Sequence, residues 1–342
     1  EGIGSLPVDE QPERAYVSTD PNLYSDYSIQ RSQIEADPLI RRALEVNASI
    51  TEFCSLPESI LHLDVDPSCK DKLYRKQYKV AETAVPLVTQ IIDRWFESGK
   101  TTLAPTGCQY NSSLTVAPKK DDTGKLTGIR VCLDTRALNK ALIVNDKFQI
   151  PAIRTALESF AGASIFGEFD LAEAYLQFQL DESSQPYTAF TWNGRQYMFV
   201  GCPFGLSLLP SHFQRVMSFL FAGLPFTFPY LDNLPFASTS WSQHRDHALT
   251  IINRLNQYNL RIKPSSIKFG HSELRCLGHI ISKSGVSINP DKLKTIKDWP
   301  LPRTGEQLQS FLGFATFLRH HVRHFADLTA PLEAVKNQKE IM

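Results

Sequence analysis

The sequence lacks several features that would assign it to familiar classes of protein. None of its apolar runs is long enough to span a membrane, and no basic segment followed by an apolar one opens the chain. Its six cysteines form no Cys-x-x-Cys pair, which argues against a zinc ribbon or a disulfide scaffold and favours a reducing compartment. We therefore expect an intracellular protein, in the cytoplasm or the nucleus, with no membrane partner. Because the chain begins with Glu1 and not with Met, we expect a piece of a longer polypeptide.

The sequence also has no net charge, because 36 basic residues balance 36 acidic ones over the 342 residues. The balance is uneven along the chain. Residues 1–70 contain thirteen acidic and five basic residues, whereas the remainder contains 23 acidic and 31 basic ones. An acidic leader before a basic body is typical of a polyanion-binding domain, although simple drift in surface composition gives the same numbers. The leader is predicted to pack on the body, where it could cover a nucleic-acid cleft, or on a protein partner.

Apolar spacing divides the chain into alternating helices and strands. Residues 1–30 show no sustained periodicity and are predicted to be flexible or draped over the surface. Helical spacing predicts helices over residues 34–46, 85–95, 153–160, 210–221, 242–258 and 304–325, the last opened by a capping box. Alternation predicts strands over residues 61–65, 112–117, 129–133, 164–171 and 195–199, and a hairpin over 228–236. The mixed order indicates an α+β fold in which helices back an antiparallel sheet.

Two acidic residues stand at the ends of predicted strands. Asp170 closes one strand, and Asp232 lies some sixty residues later in the turn of the predicted hairpin. A lone Asp beside a strand is ordinarily a turn cap. Two carboxylates on neighbouring strands, however, form a magnesium site of the kind that drives nucleotidyl transfer. The pair is therefore predicted to bind Mg²⁺.

Seven segments in this order resemble the polymerase domain of gypsy-type (Metaviridae) LTR-retrotransposon reverse transcriptases. The resemblance extends from about Leu61 to about Lys336. The segments are residues 130–140, Phe169-Asp170-Leu171, Tyr187-Thr188-Ala189-Phe190, Pro203-Phe204-Gly205-Leu206 with Phe213-Gln214, Tyr230-Leu231-Asp232, Leu277-Gly278-His279-Ile280-Ile281-Ser282 and Ser310-Phe311-Leu312-Gly313.

The resemblance implies a right-hand polymerase fold with fingers, a palm that contains the antiparallel sheet, and part of a thumb. The implied divisions are an acidic leader at residues 1–70, fingers at 71–148 and 181–204, palm at 149–180 and 205–295, and the start of the thumb at 296–342, without an RNase H domain. It also implies an RNA or RNA–DNA template–primer as partner and Mg²⁺ as cofactor.

The same resemblance gives roles to individual residues. The metal would be held by Asp170, Asp232 and the main-chain carbonyl of Leu171. The incoming nucleotide would be held by Lys119, Lys120, Arg130, Tyr175, Phe204 and Gly205. The template–primer would be contacted by Leu277, Gly278, His279, Arg319 and Arg323. Other interpretations stay open: charged side chains at a hairpin tip or on a helix face are often simply solvated, and Tyr175 alone would be a core aromatic.

The sequence departs from the family pattern near the predicted metal site. Asn233 replaces the second acid of the Tyr-x-Asp-Asp motif and is a degenerate third catalytic position. Pro229 and Pro235 flank the turn, and proline is unwelcome in a central strand because it cannot donate a ladder hydrogen bond. Ser265 and Ser266 replace lysines. Two hypotheses follow. The favoured one is a catalytically impaired or inactive domain, a domesticated pseudoenzyme that acts through nucleic-acid or protein binding. The alternative is an active RNA-directed DNA polymerase that tolerates Asp-Asn.

Overall fold

The computed structural model describes residues 21–120, 126–144 and 148–340. Its helices are α1 (Pro21–Ala36), α2 (Pro38–Ala48), α3 (Val85–Glu97), α4 (Arg136–Ala141), α5 (Ile153–Glu158), α6 (Leu209–Leu220), α7 (Trp241–Gln257), α8 (Pro290–Lys297), α9 (Gly305–Thr316) and α10 (Phe325–Val335). Its strands are β1 (Thr101–Leu103), β2 (Leu114–Lys120), β3 (Leu126–Leu133), β4 (Ile165–Asp170), β5 (Phe190–Trp192), β6 (Arg195–Phe199), β7 (Asn233–Ser238), β8 (Lys268–His271), β9 (Glu273–Cys276), β10 (His279–Ser282) and β11 (Gly285–Ile288). None of the helices in these ranges is both long and apolar enough to cross a bilayer.

Most of the predicted elements are confirmed, with ends that differ by a few residues. The hairpin at 228–236 is one of them: Tyr230 and Asn233 exchange two hydrogen bonds across the Leu231–Asp232 turn, and only its first arm is irregular. Outside the C-terminal helices, two predictions were wrong. The segment 61–65 makes only isolated bridges, from Leu61 to Leu180 and from Val65 to Leu142. Residues 21–30 lie in a helix and not in a flexible segment, while residues 1–20 lie outside the described part of the chain.

The central sheet has the strand order β7-β4-β8, and both outer strands run antiparallel to β4. Phe169 of β4 stacks on Phe236 of β7 with ring centroids 5.1 Å apart, and both are fully buried. Gly167, the ladder partner of Phe236, leaves room for this ring, because a Cβ at residue 167 would lie 2.2 Å from it. Helix α7 covers β4 and β7 and buries Ile251 and Ile252. The sheet is thus packed tightly enough to fix the positions of its strand ends.

Two smaller sheets precede and interrupt the central one along the chain. They are the three-stranded sheet β1-β6-β5 and the hairpin β2–β3. Helix α3 packs beside both and buries Val88, Ile92 and Trp95, which recur at helical spacing along one face. The Trp95 ring meets Phe199 of β6 at 5.3 Å. This part of the chain corresponds to the region that the resemblance assigned to the fingers.

The C-terminal part contains the sheet β11-β10-β9 and helices α8 to α10. Thr304 caps α9 by accepting a hydrogen bond from the Gln307 N–H at 3.3 Å, as the capping box predicted. The predicted helix 304–325 is nevertheless wrong, because α9 ends at Thr316. A 3₁₀ turn over Arg319–His321 and a left-handed His324, with φ 53°, separate it from α10. The intervening sequence contains three histidines and a valine, which are weak helix formers.

The described part of the acidic leader packs against the central sheet and α7. Asp37 caps α2 and also accepts a hydrogen bond from Arg245 Nε of α7 at 2.6 Å. The Tyr27 hydroxyl donates to the Ser164 carbonyl at 2.9 Å. Ser164 precedes β4, so Tyr27 anchors α1 at the opposite end of that strand from Asp170. Helix α1 therefore does not cover the predicted metal site.

The α2–α7 contact should carry a large share of the stability of the leader. Ile40 is fully buried in this contact, so Ile40→Ala is expected to lower the free energy of unfolding by about 2–5 kcal/mol. Leu39 is 54% exposed on the same helix, and Leu39→Ala should change it by less than about 0.5 kcal/mol. Urea unfolding of the two variants measures the difference. Equal losses would mean that α2 is not docked as described.

Candidate active site

Asp170 and Asp232 lie on the two sides of one antiparallel ladder. Asp170 is the last residue of β4, and its direct partner on β7 is Asn233. The Leu171 N–H donates to the Asp232 carbonyl at 2.9 Å, which continues the ladder by one further contact. Because residues directly opposite each other share a face of the sheet, Asn233 presents its side chain on the same face as Asp170. The ladder therefore brings Asp170, Asp232 and Asn233 to one end of the sheet.

Burial and mutual repulsion set the electrostatics of this acid pair. The pKa of the Asp170 carboxyl is raised to about 6, first because burial disfavours its charged form and then because the Asp232 carboxylate repels it. Burial also raises the pKa of Asp232. Lys263 Nζ lies 3.7 Å from Asp170 Oδ2 and offsets part of this effect. A bound cation would relieve both costs, so the arrangement favours cation binding.

The oxygen atoms at this site fit Mg²⁺, which prefers hard oxygen ligands. The N–H and C=O of one strand residue point to the same side, so the Leu171 carbonyl faces the Asp232 segment. The described residues contain no group of three or more His, Cys, Asp and Glu side chains that could hold a metal. Any further ligands must then come from main chain, water or substrate, which is the usual situation for Mg²⁺.

A buried glutamine holds the turn that contains Asp232. Gln214 of α6 is fully buried. Its Oε1 accepts a hydrogen bond from the Leu231 N–H at 2.7 Å, and its Nε2 donates to the Pro229 carbonyl at 2.8 Å. Leu231 has a left-handed backbone, with φ 51°, which a non-glycine residue adopts only at a cost. The two hydrogen bonds offset that cost and fix the approach to Asp232.

The two prolines beside the turn leave the pairing of the central sheet intact, contrary to the prediction that they disturb it. The Pro235 carbonyl accepts from the Phe228 N–H at 3.3 Å, so the polar backbone groups of Pro235 point away from β4 and towards the irregular arm. The Pro229 carbonyl points outward to Gln214. In this register, the backbone positions at which Pro229 and Pro235 lack an N–H lie outside the β4–β7 ladder, where proline is tolerated.

Comparisons with known proteins agree with this geometry. Residues 117–281 match the family described as reverse transcriptase (RNA-dependent DNA polymerase). This segment of the chain is therefore similar to a reverse-transcriptase domain. The chain is also similar to proteins of LTR retrotransposons, as the resemblance implied: it is 28% identical over 309 residues to the Pol polyprotein of transposon 297 of Drosophila melanogaster and 30% identical over 271 residues to that of transposon 412. The matches cover 90% and 78% of this chain but only 29% and 21% of the two polyproteins.

Solved structures confirm the right-hand polymerase fold. The foamy viral protease–reverse transcriptase in complex with RNA/DNA hybrid superposes with a TM-score of 0.70 at 23% identity, over 85% of this chain and 38% of that one. A second structure of that protein, in complex with double-stranded DNA, gives 0.76 at 21% identity, over 97% and 59% of the two chains. Following the divisions that the resemblance implies, we use palm as a label for the central sheet, fingers for the preceding sheets and thumb for α9–α10.

The predicted nucleotide residues of the palm meet around Tyr175. The Tyr175 ring lies 5.1 Å from Phe204 and 5.3 Å from Phe213. Burial and the Asp232 carboxylate raise the pKa of its hydroxyl to about 12. Gly205 has φ 104°, and its carbonyl accepts a hydrogen bond from Thr135 Oγ1 at 2.7 Å. The loop after Pro203 is thereby tied to Thr135, which follows strand β3 of the fingers.

The other predicted residues lie on other elements of the fold. Lys119, Lys120 and Arg130 belong to the β2–β3 hairpin of the fingers, and the Lys120 side chain is outside the described part of the structure. Arg319 and Arg323 are both exposed in the segment between α9 and α10.

Leu277 and Gly278 form a two-residue turn between β9 and β10, and both have positive φ, at 50° and 81°. That pattern is a type I′ hairpin, in which a leucine at the first position is strained. His279 follows the turn and is buried, with its ring 4.8 Å from Phe317 of the thumb. The loop predicted to contact the template–primer thus packs against the thumb.

The raised pKa of Asp170 leads to a prediction about stability. A carboxyl whose folded pKa is raised favours the folded state only at low pH, so this stability is lost as pH rises from about 4 to about 6. Asp170→Asn is therefore expected to stabilise the metal-free protein by on the order of 2 kcal/mol at about pH 8 and not at about pH 4. Urea unfolding in the presence of a chelator measures this. Asp93→Asn, on the exposed face of α3, is the control, and an equal gain there would contradict the assignment.

Proposed function

We propose that this domain binds an RNA or RNA–DNA template–primer and catalyses RNA-directed DNA synthesis, at a rate that Asn233 lowers. The observation that carries the proposal is the acid pair. Asp170 and Asp232 are held on one ladder, and the pKa of each is raised. A protein that needed only the fold would gain stability by losing one of these acids. Buried groups with perturbed pKa values and a defined charge partner are typical of functional sites.

Asp170, Asp232 and the Leu171 carbonyl would hold Mg²⁺, which, when bound, would stabilise the charge that develops on the transferred phosphoryl group. The residues of the chain have separate tasks. Gln214 fixes the backbone beside Asp232, and Tyr175 supplies an aromatic surface for the sugar of the incoming nucleotide. Lys119, Lys120 and Arg130 on the fingers hairpin supply positive charge for its triphosphate, because Lys and Arg suit polyanions.

Asn233 weakens this site without dismantling it. It shares a sheet face with Asp170, and an amide there removes one negative charge from the surroundings of the cation. The two prolines leave the ladder intact, so Asn233 weakens the site through the lost charge. We therefore favour weakened catalysis over complete inactivity.

The activity prediction follows from that charge. Asn233→Asp is expected to raise kcat for Mg²⁺-dependent extension of oligo(dT) on poly(rA) by about ten-fold, which corresponds to about 1.4 kcal/mol. Asp170→Asn should abolish extension. Asn193→Asp makes the same chemical change in the exposed β5–β6 turn and should have no effect. No extension by either the unmodified chain or the Asn233→Asp variant would contradict the proposal.

A second function is binding without catalysis, as expected of a domesticated pseudoenzyme. The observation in its favour is Lys263, whose ammonium lies beside Asp170 and could substitute for a metal ion. The two functions differ in one measurement. If Mg²⁺ does not raise the melting temperature of the unmodified chain, and template–primer still binds, the binding-only function is correct.

Nucleic-acid binding should depend on the exposed arginines of the thumb. Each phosphate contact adds nearly one unit to the slope of log affinity against log salt. Arg319→Ala combined with Arg323→Ala is expected to weaken template–primer binding and to reduce that slope by up to about two units. Arg41→Ala combined with Arg42→Ala on α2 is the charge-matched control. Fluorescence anisotropy over a salt series gives both slopes, and equal changes would show that only total charge matters.

A further inference from the structure

Helix α2 of the acidic leader ends on a buried amide that reaches the backbone of the palm. Asn47 is 2% exposed. Its Nδ2 donates to the Leu260 carbonyl at 2.9 Å and to Asn256 Oδ1 at 2.7 Å, and its Oδ1 accepts from the Ile262 N–H at 2.7 Å. Asn256 in turn donates to the Ala43 carbonyl of α2 at 2.9 Å. An amide with this many buried partners specifies one position for the segment after α7.

That segment pairs directly with the backbone around Asp170. The Lys263 N–H donates to the Asp170 carbonyl at 2.8 Å, and the Ala172 N–H donates to the Arg261 carbonyl at 3.0 Å. Between these two contacts, Leu171 and Ile262 form an antiparallel bridge. The hydrogen bonds of Asn47 and those of Asp170 therefore act on the same stretch of four residues, 260–263.

A second buried amide ties the same two stretches together from within the palm. Gln177 is 3% exposed. Its Nε2 donates to the carbonyls of Ala172 at 2.6 Å and Arg261 at 3.0 Å, and its Oε1 accepts from the Arg261 N–H at 2.5 Å. The Gln177 carbonyl accepts from the Cys54 N–H, in the segment that follows α2, at 2.8 Å. The leader thus contacts this arrangement at two points.

We propose that the leader is a working part of the polymerase site, and that Asn47 and Gln177 are positioning residues that hold the Asp170–Ala172 backbone in its ligand-binding position. This inference rests on the proposed function for its effect on catalysis. Neither residue touches the predicted metal ligands with its side chain. Each acts through backbone segments 170–172 and 260–263. Loss of such outer contacts typically lowers metal affinity or activity by about 10- to 100-fold.

Isosteric variants test the proposal with little change in volume. Asn47→Asp keeps the acceptor for Ile262 but loses both donated hydrogen bonds. Gln177→Glu keeps the acceptor for Arg261 and loses the two bonds to Ala172 and Arg261. Ile40→Ala is the matched control, because it removes buried apolar volume from the same face of α2 without removing a hydrogen bond to segment 260–263.

Two readouts separate positioning from general stability. Hydrogen–deuterium exchange of peptides over residues 169–173 and 260–264 should speed up about ten-fold or more in Asn47→Asp and Gln177→Glu, and not selectively in Ile40→Ala. The dissociation constant for Mn²⁺, measured by electron paramagnetic resonance on the full chain, should rise about ten-fold in the first two variants and stay within about two-fold in the control. For extension, kcat should fall while the KM for template–primer is unchanged.

The outcomes decide the two proposals separately. If Ile40→Ala at matched loss of melting temperature raises exchange at 169–173 and weakens Mn²⁺ binding as much as Asn47→Asp does, the positioning role is overturned. If exchange at 169–173 is unchanged in both amide variants, it is overturned as well. If the unmodified chain neither binds Mn²⁺ nor extends primers, the proposed function fails, and the exchange measurement alone then decides whether the leader holds the Asp170 backbone.

Discussion

Two carboxyl groups held close together at the end of the β4–β7 ladder are the constraint on which the rest of this structure depends. Asp170 and Asp232 repel each other, and burial raises the pKa of both. Such a pair opposes folding at neutral pH unless other contacts hold its backbone in place. Those contacts are visible: Gln214 fixes the turn before Asp232, and segment 260–263 pairs with the chain after Asp170. The packing of the palm therefore holds together two acids whose charges repel each other.

The order of the motifs and the elements that carry them could be predicted from the sequence, because apolar periodicity and two acids at strand ends are local signals. The end of α9 at Thr316 could not be, since Leu318 and Val322 continue the helical spacing beyond it. The effect of Pro235 was also misjudged. Whether a proline harms a sheet depends on which neighbour its missing N–H faces, and that is a property of register, which the sequence alone does not give.

The residues that hold the site were missed for a related reason. Gln177 and Gln214 stand close to other polar residues, Gln179 and Arg215, so the local sequence does not mark either of them as buried. Their partners are backbone groups 5 to 84 residues away, which only the tertiary fold identifies. The difference in charge between the leader and the body could be counted from the sequence, but the position of the leader on the body could not be predicted from it. Asp37 of the leader uses its charge to bind Arg245 of α7, beside the palm.

The prolines around the turn also affect the border of the palm sheet. Strand β7 is an outer strand of the described sheet, and the irregular arm that runs through residues 226–230 pairs along its free side. Pro229 has no N–H to donate from this arm, and its carbonyl already accepts a hydrogen bond from Gln214. An exposed row of paired donors and acceptors would invite an additional extended chain. Pro229 and its bonded carbonyl offer no such row, so the feature that first looked like damage to the sheet makes this border a poor template for edge-to-edge association.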